Sequence, residues 1–150
     1  MSQKIILLNR IIFVLSILGV LMAIYVLQSF LRQTGIVCLT GGGCELVRKS
    51  PIAWPLGIPV PAFGLVGYAG LTILSFLQTT NQRSTMSNKL LLGMLGIAIF
   101  GVCFVTWFTT MELFVIKGTC TWCAVSAVNM YIIFGLVIQS WRLAKKNATV

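Results

Sequence analysis

Histidine is absent from this 150-residue sequence, and Glu45 and Glu112 are its only acids. Without histidine there is no Ser-His-Asp triad and no imidazole ligand for zinc. Two acids so far apart in the chain also give no carboxylate pair for hydrolysis. Charged residues of any kind make up 9% of the chain, against roughly 25% in soluble domains. What is left for chemistry is five cysteines, some hydroxyls and the basic side chains. Redox becomes the leading class by elimination.

Hydrophobic residues are 58% of the sequence, more than a soluble core of this size can hide, so lipid is the expected solvent. The length fits a single domain, residues 1–150. The net charge of +9 does not mark a nucleic-acid binder. The basic residues punctuate the ends of apolar segments and form no patch that would track a phosphate backbone. Membrane lipid is an expected partner and nucleic acid is not.

The apolar runs predict an all-α membrane protein: a four-transmembrane-helix bundle with an outer loop and half-helix between the first and second helices. Helices are expected over about residues 8–31, 60–78, 90–116 and 121–141, with an outer redox loop over about 32–59. The first apolar run, Ile11 to Leu31, follows Lys4 and Arg10 and closes at Arg32. A signal peptide is the rival reading of this run. It is long for one, and no small-x-small cleavage site follows, which favours a retained helix.

Between Arg32 and Pro61 lie Gly35, Gly41, Gly42, Gly43 and Gly57 and all four prolines, Pro51, Pro55, Pro59 and Pro61. So many breakers forbid a continuous helix. Cys44 to Lys49 has room for a helical turn on the membrane surface, and Trp54 suits the headgroup interface. Gly64, Gly67 and Gly70 repeat three apart in the second run and predict close helix–helix packing. Polar links follow at Thr79–Asn88 and around Lys117 and Gly118.

Four spans put both termini on one side, together with Lys4, Arg10, Arg83, Lys89, Arg142, Lys145 and Lys146. The other side holds Arg32, Arg48, Lys49, Lys117 and both acids. By the positive-inside rule the termini are cytoplasmic, and the first loop faces the periplasm or lumen. The expected location is the cell inner membrane, with multiple passes.

On that topology Cys38, Cys44, Cys120 and Cys123 share the outer face. Cys120 and Cys123 form Cys-Thr-Trp-Cys where the fourth helix begins, so the first sulfur meets the helix dipole and unpaired N–H groups that favour its thiolate. Three glycines precede Cys44 and are expected to let the loop swing, leaving the Cys44 sulfur open to a protein partner. Two readings of the four cysteines stand beside a redox relay. One is a pair of inert structural disulfides. The other is an all-cysteine zinc site, for which the five residues between Cys38 and Cys44 are wider than the usual spacing; no metal is expected. Cys103 falls near mid-membrane and is expected to be a small packing residue.

The sequence resembles the vitamin K epoxide reductase family, its bacterial homologues in particular, over roughly Ile6 to Trp141. The resemblance rests on Cys38-x5-Cys44-Glu-Leu-Val-Arg-Lys-Ser50-Pro51, on Gly57-Ile-Pro59-Val-Pro-Ala-Phe-Gly64 and on Thr119-Cys-Thr-Trp-Cys-Ala124, in that order around four apolar runs. It implies a bundle that holds a quinone, ubiquinone or menaquinone, near the outer surface. It implies that Cys44 takes a mixed disulfide with a thioredoxin-fold (DsbA-like) partner, that Cys38 then attacks a Cys120–Cys123 disulfide, and that Cys123 faces the quinone. Ser50 matches the family's loop serine or threonine near the quinone. Many bacterial members carry a fused thioredoxin-like domain after the fourth helix. This sequence ends within ten residues of that helix, which implies a separate partner. Vertebrate members carry a tyrosine four residues after the Cys-x-x-Cys, where this chain has Ala127; that favours quinone reduction coupled to disulfide formation over vitamin K epoxide reduction.

The leading expectation is therefore a membrane thiol–disulfide oxidoreductase that reoxidises a periplasmic thioredoxin-fold protein and passes the electrons to a quinone. One alternative is a non-catalytic tetraspan scaffold or transporter subunit with structural disulfides. The other is a DsbB-type quinone reductase, in which the Cys-x-x-Cys belongs to the first outer loop and the wider pair to the second, the reverse of the order here.

Overall fold

The computed structural model describes residues 3–39, 41–80 and 84–148. The elements run α1 (Gln3–Arg32), α2 (Gly43–Lys49), two 3₁₀ turns (Pro51–Ala53 and Pro55–Gly57), α3 (Val60–Thr80), α4 (Ser84–Met111) and α5 (Thr121–Ala148). A wider π turn, Glu112–Ile116, closes α4. No strand occurs among the described residues. Four helices are long and apolar enough to cross a membrane, so the chain is an all-α four-span bundle with a short helix between its first two spans.

Three helices extend past their apolar runs. α1 begins at Gln3, α4 at Ser84 and α5 continues to Ala148. Neither Ser84–Lys89 nor Arg142–Ala148 contains glycine or proline, so nothing stops propagation once the apolar part is helical. The polar link before α4 is correspondingly shorter than the apolar pattern predicts. Arg83, one of the residues counted for topology, lies outside the described residues.

The four long helices form a closed ring in which α1 packs on α3 and α5, and α4 packs on the same two. On α1 the buried positions include Ile5, Asn9, Ile12, Ser16, Gly19, Ala23, Val26 and Phe30. They alternate four and three residues apart, the seam of a left-handed packing. Leu7, Val14 and Leu21 on its other face are exposed, as suits a surface against lipid. Without a hydrophobic drive between helices in lipid, close contacts and buried polar bonds must hold the ring. Gly19 lets the Tyr68 ring lie against α1, where any Cβ would collide with it. The Tyr68 hydroxyl reaches Ser126 on α5, donating to its carbonyl at 2.9 Å. Nearer the termini, Asn9 donates to the Ser75 carbonyl at 2.9 Å while the Ser75 hydroxyl donates to Asn9 Oδ1 at 2.9 Å.

The glycine stripe of α3 does something other than the expected close packing. Only Gly70 meets a neighbouring helix, with the Ile97 side chain 3.1 Å from its Cβ position. Gly64 and Gly67 face open space, which proves to be part of the site.

Candidate active site

The polypeptide between α1 and α3 folds over one end of the bundle. Gly41 and Gly42 take left-handed φ values of 62° and 105°, which side chains disfavour, and so turn the chain into α2. Gly43 then passes so close beneath the carbonyl of Thr119 that a Cβ there would strike the oxygen. Pro51 and Pro55 each start a 3₁₀ turn, positions that need no N–H. The Ser50 hydroxyl caps the first of these by accepting the Ile52 N–H at 3.3 Å. The Trp54 indole N–H donates to the Arg48 carbonyl at 2.9 Å, and its ring lies on Phe30. On the surface of α2, Arg48 pairs with Glu45 at 2.7 Å and holds that carboxyl below its usual range.

Cys38 and Cys44 are joined as a disulfide with Cα atoms 6.0 Å apart. Two bonds from α5 tie this loop down. The Trp122 indole donates to the Val37 carbonyl at 2.9 Å, and Cys38 Sγ lies 3.7 Å from the Thr121 hydroxyl. Cys44 is 2% exposed and packs with Val26, Val47, Phe108 and Cys120, whereas Cys38 is only half-buried. This corrects the expectation that glycines leave Cys44 open. Two of them make the turn and the third is a docking contact, so Cys44 is the more shielded of the two.

Cys120 and Cys123 are thiols. Cys120 sits at the N-cap of α5, its carbonyl accepting the Ala124 N–H at 3.0 Å. Its sulfur accepts from the Cys123 thiol first of all, and also from the backbone N–H groups of Cys123 and Trp122; these bonds lower its pKa from 9.0 to about 7. All four cysteines thus fall in one cluster at one end of the bundle. Cys103 is elsewhere, exposed on α4, so it faces outward and does not pack within the bundle.

Cys123 also lines a cleft of about 930 Å³, counted out to its open side, which all four long helices enclose. Its walls are apolar and rich in aromatics, with Phe30 from α1, Phe63 from α3 and Phe104 and Phe108 from α4. Gly64 and Gly67 face into it and a Cβ on either would touch nothing. The shape and lining suit a flat apolar ligand beside a sulfur. Ser50 is not among the cleft-lining residues; its hydroxyl is engaged at the turn.

Sequence reasoning missed Glu112. Its carboxyl is 2% exposed and lies against the Cys123 thiol and the Cys120 backbone N–H. A signal was present, since an acid inside an apolar run is a functional candidate by default. Cysteine pairs and cleft thus meet at one sulfur, Cys123. Residues 10–138 match the family model described as the vitamin K epoxide reductase family, and the chain therefore belongs to that family of membrane disulfide oxidoreductases.

Proposed function

We propose that the chain takes electrons from a separate, periplasmic thioredoxin-fold protein of the DsbA-like kind and delivers them to a membrane quinone, ubiquinone or menaquinone. The observation that carries this reading is the position of Cys123, which belongs both to the cysteine cluster and to the cleft wall.

The relay runs by thiol–disulfide exchange. A partner thiolate attacks Cys44, the Cys38–Cys44 bond breaks, and Cys38 leaves as a thiolate. Cys38 then attacks Cys120 in a Cys120–Cys123 disulfide and releases Cys123 as a thiolate. The partner's second thiolate resolves the mixed disulfide, leaving as the oxidised partner and freeing Cys44, and Cys44 attacks Cys38 to re-form the loop disulfide and release Cys120. The contact of Cys38 with Thr121 supports Cys38 as the internal attacker. The burial of Cys44 adds a requirement: α2 must lift from Thr119, turning about Gly41 and Gly42, before a partner reaches it. Cys120 and Cys123, reduced by this exchange, stand beside the cleft. A quinone bound there would supply the two-electron oxidation that returns them to the disulfide. Gly64, Gly67 and the surrounding phenylalanines would hold its ring, and Cys123 would face it. Ser50 acts as a positioning residue through the turn it caps.

We place the protein in the cell inner membrane with cytoplasmic termini and the cysteine cluster on the periplasmic side. The support is the excess of basic residues at the end of the bundle opposite the cysteines. The test is anaerobic incubation of the purified protein with a reduced thioredoxin-fold substrate and a quinone. Quinone reduction in step with thiol loss is expected. Thiol loss without quinone reduction, or no reaction of either, would reject the reading.

A further inference from the structure

Of the two acids, Glu45 is spent on Arg48 and Lys49 at the surface. Glu112 has no such partner. The π turn that begins with it widens the end of α4, and both the Lys117 and Gly118 N–H groups return to its backbone carbonyl. Lys117 is left-handed at φ 52°, so the chain reverses there and brings Cys120 back over the Glu112 side chain. The carboxyl then touches the Cys120 N–H and the Cys123 thiol, and its Oε1 has no hydrogen-bond partner among the described residues. A buried carboxylate with an idle oxygen is costly unless it has work to do.

We propose that Glu112 is the proton acceptor for Cys123 when the Cys120–Cys123 disulfide closes. The step rests on the oxidoreductase reading above. Closure breaks two S–H bonds, forms one S–S bond and sends two electrons to the quinone. The thiol of Cys123 has two neighbours that can accept its proton, the Cys120 sulfur and the Glu112 carboxylate. The first is consumed by the new S–S bond, which leaves Glu112. The proton of Cys120 exchanges with water, and a quinone bound in the cleft would take up the two electrons and two protons. No histidine exists to compete, and the nearby hydroxyls of Tyr68 and Ser126 are bonded to each other. A catalytic residue in this role touches a reacting atom, the sulfur of Cys123.

Infrared difference spectroscopy of oxidised against reduced protein tests this without quinone. With only two acids in the chain, the carboxyl region is nearly free of background. The full-length wild type should show a carboxyl that changes protonation with the state of the pair, and Glu112→Gln should erase that band while Glu45→Gln keeps it. Quinone reduction by Glu112→Gln should fall by about 10²-fold or more, the usual contribution of a positioned acid–base group. A wild-type spectrum without a carboxyl change overturns the proposal even if the variant fails to fold. So does a folded Glu112→Gln enzyme with wild-type turnover. Failure of the wild type to reduce quinone at all would instead reject the functional reading, while the spectrum would still judge Glu112.

Discussion

Gly43 lies directly beneath the carbonyl of Thr119, with no room for a Cβ between them. The residue before Cys44 therefore touches the residue before Cys120, and this contact seats the loop pair on the helical pair. Gly43→Ala must push α2 away from Thr119, an overpacking that costs typically 1–3 kcal/mol. Two rates should then move in opposite directions. Trapping of an oxidised thioredoxin-fold partner by the Cys44 thiolate, read on non-reducing gels in a Cys38→Ala background, should become faster. Transfer from the loop pair to Cys120 and Cys123 should become slower. If both rates rose together, the contact would not be what couples the pairs.

Burial also ranks the loop sulfurs. In the reduced protein a membrane-impermeant thiol reagent applied from outside should modify Cys38 before Cys44, because Cys44 reacts only after local opening. An opening cost of about 1.4 kcal/mol already gives a tenfold difference in rate. Peptide mass spectrometry of briefly labelled samples measures the ratio. Faster labelling at Cys44 would mean that the packing around it does not persist once the disulfide is reduced. Labelling of both only after the inner face is opened would reverse the orientation.

Much of this arrangement was legible in the sequence because its signals are local. Run lengths predict the four spans, breakers predict the outer loop, and strand-free connections of that length bring Cys38, Cys44, Cys120 and Cys123 to one end. What was not legible depends on what a residue faces. A glycine every third position says that one face of α3 is small, and it is silent on whether a helix or a cleft lies opposite; Gly70 meets Ile97 whereas Gly64 and Gly67 meet nothing. The shielding of Cys44 depends on Thr119, far along the chain. Cys103 reads as a packing residue from its apolar neighbours, yet every face of a helix in lipid is apolar, so composition cannot tell inside from outside.

That outward position leaves Cys103 out of the proposed relay. Cys103→Ala should retain quinone reduction within about twofold of the wild type, whereas Cys120→Ala or Cys123→Ala should abolish it. Equal damage from all three substitutions would sink the division of the cysteines.

The open glycines of the cleft allow stability and activity to be separated. Gly67 lies within α3 and a Cβ there touches nothing, so Gly67→Ala should hold or raise stability, by up to about 1 kcal/mol, through the lower entropy of the unfolded chain. Gly67→Leu fills the space itself. Thermal unfolding in detergent should show no loss for either variant, while quinone reduction by Gly67→Leu falls about tenfold or more. Thiol exchange between partner and loop pair should be unaffected, because those cysteines lie outside the cleft wall. Undiminished quinone reduction in a folded Gly67→Leu protein would place the quinone elsewhere.

The last prediction concerns pH. Cys120 has its pKa lowered from 9.0 to about 7, first by the hydrogen bond from the Cys123 thiol and then by the backbone N–H groups of α5. Its thiolate is the favoured form above that value and is lost as pH falls through it. The ultraviolet absorbance of thiolate, taken as reduced minus oxidised protein, should therefore rise with a midpoint near pH 7. Cys123→Ala removes the leading hydrogen bond and leaves burial, which raises the value, opposed only by the backbone N–H groups, so the midpoint should move upward. The sign follows from the donor: a thiol that donates to the Cys120 sulfur stabilises its charged form, and losing that thiol favours the proton. Replacement of Cys103 should leave the curve in place. A midpoint unmoved by Cys123→Ala would show that the helix N-terminus alone sets the acidity of Cys120.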